Sequence, residues 1–136
     1  MIEAVALEKG HEIILRIDAD NQDQFTAAAA KSADVAIEFT GPATAFYNVK
    51  QCIDFRLPVV SGSTGWNAQL EEAKAYCMQH GGSLLHASNF SIGVNIFFAV
   101  NRYLAQLMNT QSDYEVTLKE IHHTQKLDAP SGTAVT

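Results

Sequence analysis

"DVAIEFTGPATAFYNVKQCIDFRLPVVSGSTG", residues 34–65, decides the fold. "DVAIEF" is too short an apolar run for a helix and is closed by Gly41-Pro42, so it reads as a buried strand. "GPATAFYNVKQCIDFRL" then reads as a helix, with Pro42 just inside its first turn, where proline is favoured. "PVVSGS" is a second short strand. A strand, a helix and a strand in succession make a crossover unit, and crossovers build parallel sheets. Near-continuous apolar strands fit a sheet covered by helices on both faces.

The same alternation extends in both directions. Downstream, "WNAQLEEAKAYCMQHG" reads as a helix ending at Gly81, and "SLLHAS" as a third strand. "IGVNIFFAVNRYLAQLMNT" is a long helix with an apolar stripe at Ile96, Val100, Leu104 and Leu107, and "YEVTLKEIHH" has the period-2 pattern of a strand. Upstream, "MIEAVALEKG" carries Ile2, Val5 and Ala6 at helical spacing, with Gly10 as its C-terminal stop. "HEIILRID" reads as a strand, and "NQDQFTAAAAKS" as a loop with a weak helix. The pattern of short units changes after Asn89, which places a boundary near Phe90 and divides the chain into residues 1–90 and 91–136.

The chain has 136 residues, 47% hydrophobic and 18% charged, which is the composition of a globular domain. A net charge of −6 without any basic run argues against nucleic-acid binding. No apolar stretch is long enough for a membrane span. The first ten residues lack the features of a secretion signal, and Cys52 and Cys77 lack metal-type spacing. Together these read as buried thiols in a reducing cytoplasm.

In parallel α/β sheets ligands bind beyond the carboxyl ends of the strands. That singles out Asp18 and Asp20, Thr40 and Gly41, Gly62 to Gly65, and Ser88 to Phe90. A strand-end acid such as Asp18 or Asp20 accepts hydrogen bonds from an adenosine ribose, or simply caps a turn. "SGSTG" offers close backbone approach and two hydroxyls, or is an ordinary turn. In "EIHHTQK", a regular strand puts His122 on the face of Glu120 and His123 on the opposite face, so the pair is a poor joint metal site. Imidazoles suit proton transfer near neutral pH, and Lys126 adds a cation, although a His-His pair is more often structural. "DAPSGTA" makes Ser131 a helix N-cap, followed by the amides of Gly132 and Thr133.

With these motifs in view, the chain resembles the dihydrodipicolinate reductase family over essentially its whole length. "EIHHTQKLDAPSGTA" is similar to that family's signature segment, and "DVAIEFTGPATA", "VVSGSTGW", "SNFSIGVNIFF" and "RIDADN" to further family blocks in the same order. The resemblance implies a Rossmann-type dinucleotide domain over 1–90 and the start of an α+β substrate and tetramerisation domain over 91–136. It implies cytoplasmic enzymes of the diaminopimelate route to lysine. They transfer hydride from NADH or NADPH to the cyclic dicarboxylate made by dihydrodipicolinate synthase, work as homotetramers and use no metal. By the same resemblance His122 is the general acid/base and Lys126 the proton donor. His123, Lys126, Ser131, Gly132 and Thr133 bind substrate. Asp18 reads the ribose. Gly62, Ser63 and Thr64 line the nicotinamide side with Ala87, Ser88, Asn89 and Phe90, and Thr40 joins them at its strand end.

A 2′-phosphate usually calls for a nearby cation, and "DADNQDQ" has none, which favours NADH. Family members are longer. They carry a first strand with a glycine-rich turn ahead of the segment matching Met1, and most of a substrate domain beyond Thr136. The chain is therefore expected to be a fragment of a reductase, with exposed sheet edges where strands lack neighbours. The alternatives are an inactive dinucleotide-fold fragment that needs a partner or oligomerisation, and another oxidoreductase of the same fold, against which the signature argues.

Overall fold

The computed structural model of the chain describes residues 1–126 and 129–136; Leu127 and Asp128 of the signature segment lie outside the described residues. Its elements in chain order are α1 (Ile2–Glu8), α2 (Ala27–Ala30), β1 (Ala36–Glu38), α3 (Ala45–Asp54), β2 (Val59–Ser61), α4 (Leu70–Gln79), β3 (Leu84–His86), α5 (Ile92–Met108) and α6 (Gly132–Val135). Two short 3-10 helices, Ala19–Gln24 and Asn67–Gln69, complete the set.

The three strands form one parallel sheet in the order β1-β2-β3, so the α/β class and parallel sheet are as the sequence indicates. The register aligns three rows: Ala36, Val59 and Leu84; Ile37, Val60 and Leu85; Glu38, Ser61 and His86. Side chains alternate across a strand, so the first and third rows share a face. That face meets α3, whose Ala45, Phe46, Val49, Cys52 and Ile53 are all buried. Their spacing is one stripe of an amphipathic helix. Ala73 and Cys77 of α4 join the same core, as do Leu57, Val59 and Trp66. Each fully buried large apolar side chain there, such as Ile53, contributes roughly 1.5–3 kcal/mol. Both cysteines are free and buried, as read from the sequence.

The opposite face carries the middle row and is open: Ile37 is 51% exposed and Leu85 56%. The expected helices on both faces thus reduce, among the described residues, to helices on one. The stripe of α5 is likewise on the surface, with Ile96, Val100, Leu104 and Leu107 exposed and Phe98 buried.

Three local readings are corrected. Residues 11–17 form no strand, and Ile13, Ile14 and Ile17 are exposed. Residues 114–123 form none either. A period-2 pattern becomes a strand only where a neighbour supplies the ladder, and no described strand pairs with either segment. Pro42 stands in the turn before α3, whose N-cap is Thr44, rather than inside the helix. The stops are as expected: Gly10 and Gly81 follow α1 and α4 with positive φ, which glycine adopts without strain.

Candidate functional site

The polar row Glu38, Ser61 and His86 marks the carboxyl end of the sheet, and the loops beyond it build the site. Glu38 is a carboxylate inside the fold, only 6% exposed. Its Oε1 accepts hydrogen bonds from the Thr40 amide (2.9 Å), the Thr40 hydroxyl (2.5 Å) and the Ser63 hydroxyl (2.8 Å). Its Oε2 accepts from the Ser61 hydroxyl at 2.5 Å. Burial raises the pKa of this carboxyl, but the bonds from Ser61, Thr40 and Ser63 outweigh it and hold the pKa below the usual 4.5.

The network joins the loop after β1 to the loop after β2. The Thr40 amide also donates to Ser63 Oγ at 2.8 Å, and Asn48 of α3 donates to Thr40 Oγ1 at 3.2 Å. Beneath, Trp66 Nε1 donates to the Ser63 carbonyl at 2.9 Å. His86 Nε2 lies 3.2 Å from that same carbonyl, with its ring edge-on to the indole at 5.1 Å. Gly65 turns the loop at φ +82, a conformation that favours glycine.

Between the two loops is an open recess of about 230 Å³ lined by Phe39 to Pro42 and Gly62 to Thr64. The Phe39 ring sits over Gly62 so closely that a Cβ there would lie 2.1 Å from it, and it packs at 6.1 Å on Phe90. The structure therefore brings together Thr40, Gly62, Ser63 and Thr64, with Phe90 next to Phe39.

A second recess, about 400 Å³, lies beside β3 and α5. Ala87, Ser88 and Asn89 line it with Arg102, and so do Gly132 and Thr136 from the far end of the chain. Gly132 packs at the seam: a Cβ would fall 3.1 Å from Thr64 Cγ2 and 3.3 Å from Ser88 Cβ. Ser88 Oγ and Thr136 Oγ1 are 2.9 Å apart. Ser131 is the N-cap of α6, its hydroxyl accepting from the Ala134 amide at 3.1 Å.

The histidine segment reaches this helix start through Glu120. Its Oε1 is 2.7 Å from His122 Nε2, and its Oε2 accepts from the Ser131 amide at 3.0 Å. Bonds from the Ser131 hydroxyl and amide, then from His122, pull the Glu120 carboxyl down to about 2. Lys126 folds back so that its amide donates to the His123 carbonyl at 3.1 Å. His122, His123 and Lys126 line neither recess, and Thr133 is exposed on α6. Asp18 caps the 3-10 helix Ala19–Gln24: its Oδ1 accepts from the Ala19 amide at 2.7 Å, and its own amide donates to Asn21 Oδ1 at 2.6 Å.

Sequence reading missed Glu38, Glu120 and Arg102. Glu38 had a signal, a charge in an otherwise apolar strand; Glu120 shares a strand face with His122 by spacing. Arg102 had none beyond its place on a long helix.

Hydroxyls and amides thus gather at the strand ends, and the histidine segment meets α6 through Glu120. Comparison with known proteins gives the family. The family described as "Dihydrodipicolinate reductase, N-terminus" matches residues 2–90, and "Dihydrodipicolinate reductase, C-terminus" matches residues 93–136. A 4-hydroxy-tetrahydrodipicolinate reductase of Christiangramia forsetii is 42% identical over 135 residues, which is 99% of this chain and 56% of the relative. Proteins of the same name from Neisseria meningitidis and Neisseria gonorrhoeae are each 32% identical over 133 residues, 98% of this chain and 48% of theirs. The chain thus spans about half the length of the curated relatives it matches. The chain belongs to the dihydrodipicolinate reductase family.

Proposed function

We propose that this chain carries the dinucleotide cradle and the proton-transfer segment of an NAD(P)H-dependent reductase. Its substrate is a cyclic dihydrodipicolinate-type dicarboxylate of lysine and diaminopimelate biosynthesis. The observation that carries the reading is the packing of Gly132 against Thr64 and Ser88, which joins the signature segment to the strand-end loops.

The cradle's donor set fits a dinucleotide. The loops after β1 and β2 offer backbone and the Thr64 hydroxyl around Gly62, with Thr40 and Ser63 lining the recess while their hydroxyl protons are committed to Glu38, and Ala87 to Phe90 continue the lining. Asp18 supplies the acid that accepts from a ribose. A bound dinucleotide supplies the hydride. His122 acts as general acid/base; with Nε2 engaged by Glu120, Nδ1 is the ring nitrogen that exchanges a proton with the ligand. Lys126 donates the proton that balances hydride addition to the ring. His123, Lys126, Ser131, Gly132 and Thr133 hold the substrate carboxylates through cations and helix-start amides.

The division near Phe90 separates these halves. NADH is preferred, because no cation stands in "DADNQDQ" to accept a 2′-phosphate. The working protein is a cytoplasmic homotetramer that binds neither nucleic acid nor membrane; among the described residues no helix is long and apolar enough to cross one.

NADH oxidation coupled to dihydrodipicolinate synthase tests the reading. Turnover that disappears in His122→Ala and in Lys126→Ala is the expected result. A folded chain without turnover supports the alternative, a dinucleotide-fold unit that works only with a partner or after oligomerisation, which the open sheet face favours. Equal or better use of NADPH defeats the cofactor preference.

A further inference from the structure

We propose that Glu38 is the positioning residue of the dinucleotide cradle, its carboxylate fixing the loops after β1 and β2 as one rigid unit. The inference rests on the dinucleotide reading above and adds a residue to it.

The geometry gives Glu38 no other task. It is buried, and both of its oxygens are filled from the protein, so it does not itself meet a ligand. Oε1 gathers three donors: two from Thr40 on its own loop and one from Ser63 on the neighbouring loop. Thr40 lines the first recess from the loop after β1, and Ser63 lines it, beside Thr64, from the loop after β2. The backbone repeats the tie, since the Gly62 amide donates to the Glu38 carbonyl at 2.9 Å.

One of the three donors at Oε1, the Thr40 amide, cannot reverse its bond. Oε1 must therefore be an acceptor that reaches this far. Ser61 at Oε2 is a hydroxyl and can reverse. The requirement is thus for reach and for an acceptor at one oxygen, more than for charge. Holding ligand-facing groups by a buried neighbour is how a site keeps its geometry before the ligand arrives.

That asymmetry gives the test. Glu38→Gln keeps the length and the acceptor at Oε1, with its amide donating to Ser61. Glu38→Asp keeps the charge but withdraws the acceptor from Thr40 and Ser63. Three readouts apply to the whole chain: far-UV dichroism for folding, NADH affinity by calorimetry, and hydrogen exchange at the Thr40 amide. Emission of Trp66, the only tryptophan, adds a ligand-free report on the Ser63 carbonyl.

All variants are expected to keep their dichroism. Gln should stay within about threefold of the parent in affinity and exchange. Asp should lose on the order of tenfold in NADH affinity, with faster Thr40 exchange and altered Trp66 emission. Asp matching the parent, or Gln falling below Asp, overturns the proposal, because a role in charge or in general stability gives that ranking. If the parent does not bind NADH, the dinucleotide reading fails. Thr40 exchange and Trp66 emission then still decide whether Glu38 pins the loops, by the same ranking.

Discussion

The strand-end loops and the signature segment are both organised around a glutamate, and the two are held very differently. Glu38 is inside the fold and takes three bonds from two loops and a fourth from Ser61 of β2; Glu120 sits near the surface and links His122 to the start of α6. The loops stand on a core of α3, α4 and the sheet, whereas residues 114–123 have no ladder at all. Where burial removes competing water, a carboxylate network fixes a surface in advance. Where water competes, the same bonds hold a segment less firmly.

The largest test of this contrast is to loosen the core under the loops. Ile53→Ala should cost about 2–5 kcal/mol in urea unfolding followed by dichroism. A loss under 1 kcal/mol would mean that α3 does not support the sheet as described. Next, Trp66→Phe removes the indole donor to the Ser63 carbonyl and should cost about 1–2 kcal/mol, because among the described residues His86 alone is left near that oxygen.

On the signature side, Glu120→Gln should lower turnover in the coupled assay by on the order of tenfold, with little change in melting temperature. Unchanged turnover would remove Glu120 from the site. Acid offers a second route. Glu38 and Glu120 both lie below 4.5 in the folded chain, so what each contributes is present above that pH and is lost as pH falls through the folded value. For Glu120 the stability window runs from 4.5 down to about 2, and the Ser131 amide resonance of the folded chain should titrate with its midpoint at the lower end.

A smaller effect is expected at the seam between the regions. Gly132→Ala should cost about 1 kcal/mol, as Thr64 and Ser88 give by a few tenths of an ångström. Chemical-shift changes confined to residues far from Thr64 and Ser88 would disprove that contact. The smallest effect is a null one. Burial, followed by the charge of Glu38, pushes the Cys52 thiol up to about 12. Iodoacetamide at pH 8 should therefore leave Cys52 unmodified until urea is added.

How much was legible follows the same division. β1, β2 and β3 are short apolar runs closed by Gly, Pro or polar turns, and α3 carries an unambiguous helical stripe, so these were read correctly. The loops at 40 and 62–64 followed from where strands end. "HEIILRID" and "YEVTLKEIHH" have equally good alternation and form no strand. Periodicity reports which face an element would bury; it does not report whether a neighbour exists to pair with it. Glu38 is hidden by the apolar run around it, although a charge in such a run requires partners. Ser131 as a cap was legible from local chemistry alone. Its link to Glu120 was not, since it spans residues that no local rule connects.

The order of the sheet bears on how the chain is made. Ala36 pairs with Val59, and Val59 with Leu84, so each strand meets the one synthesised just before it. The spacing is roughly two dozen residues each time, a closure whose entropy is modest. Among the described strands, β2 and then β3 can each dock on its predecessor as it leaves the ribosome. The network that ties Glu38 to Ser63 can thus be completed when β2 docks, well before the histidines of the signature segment have been translated.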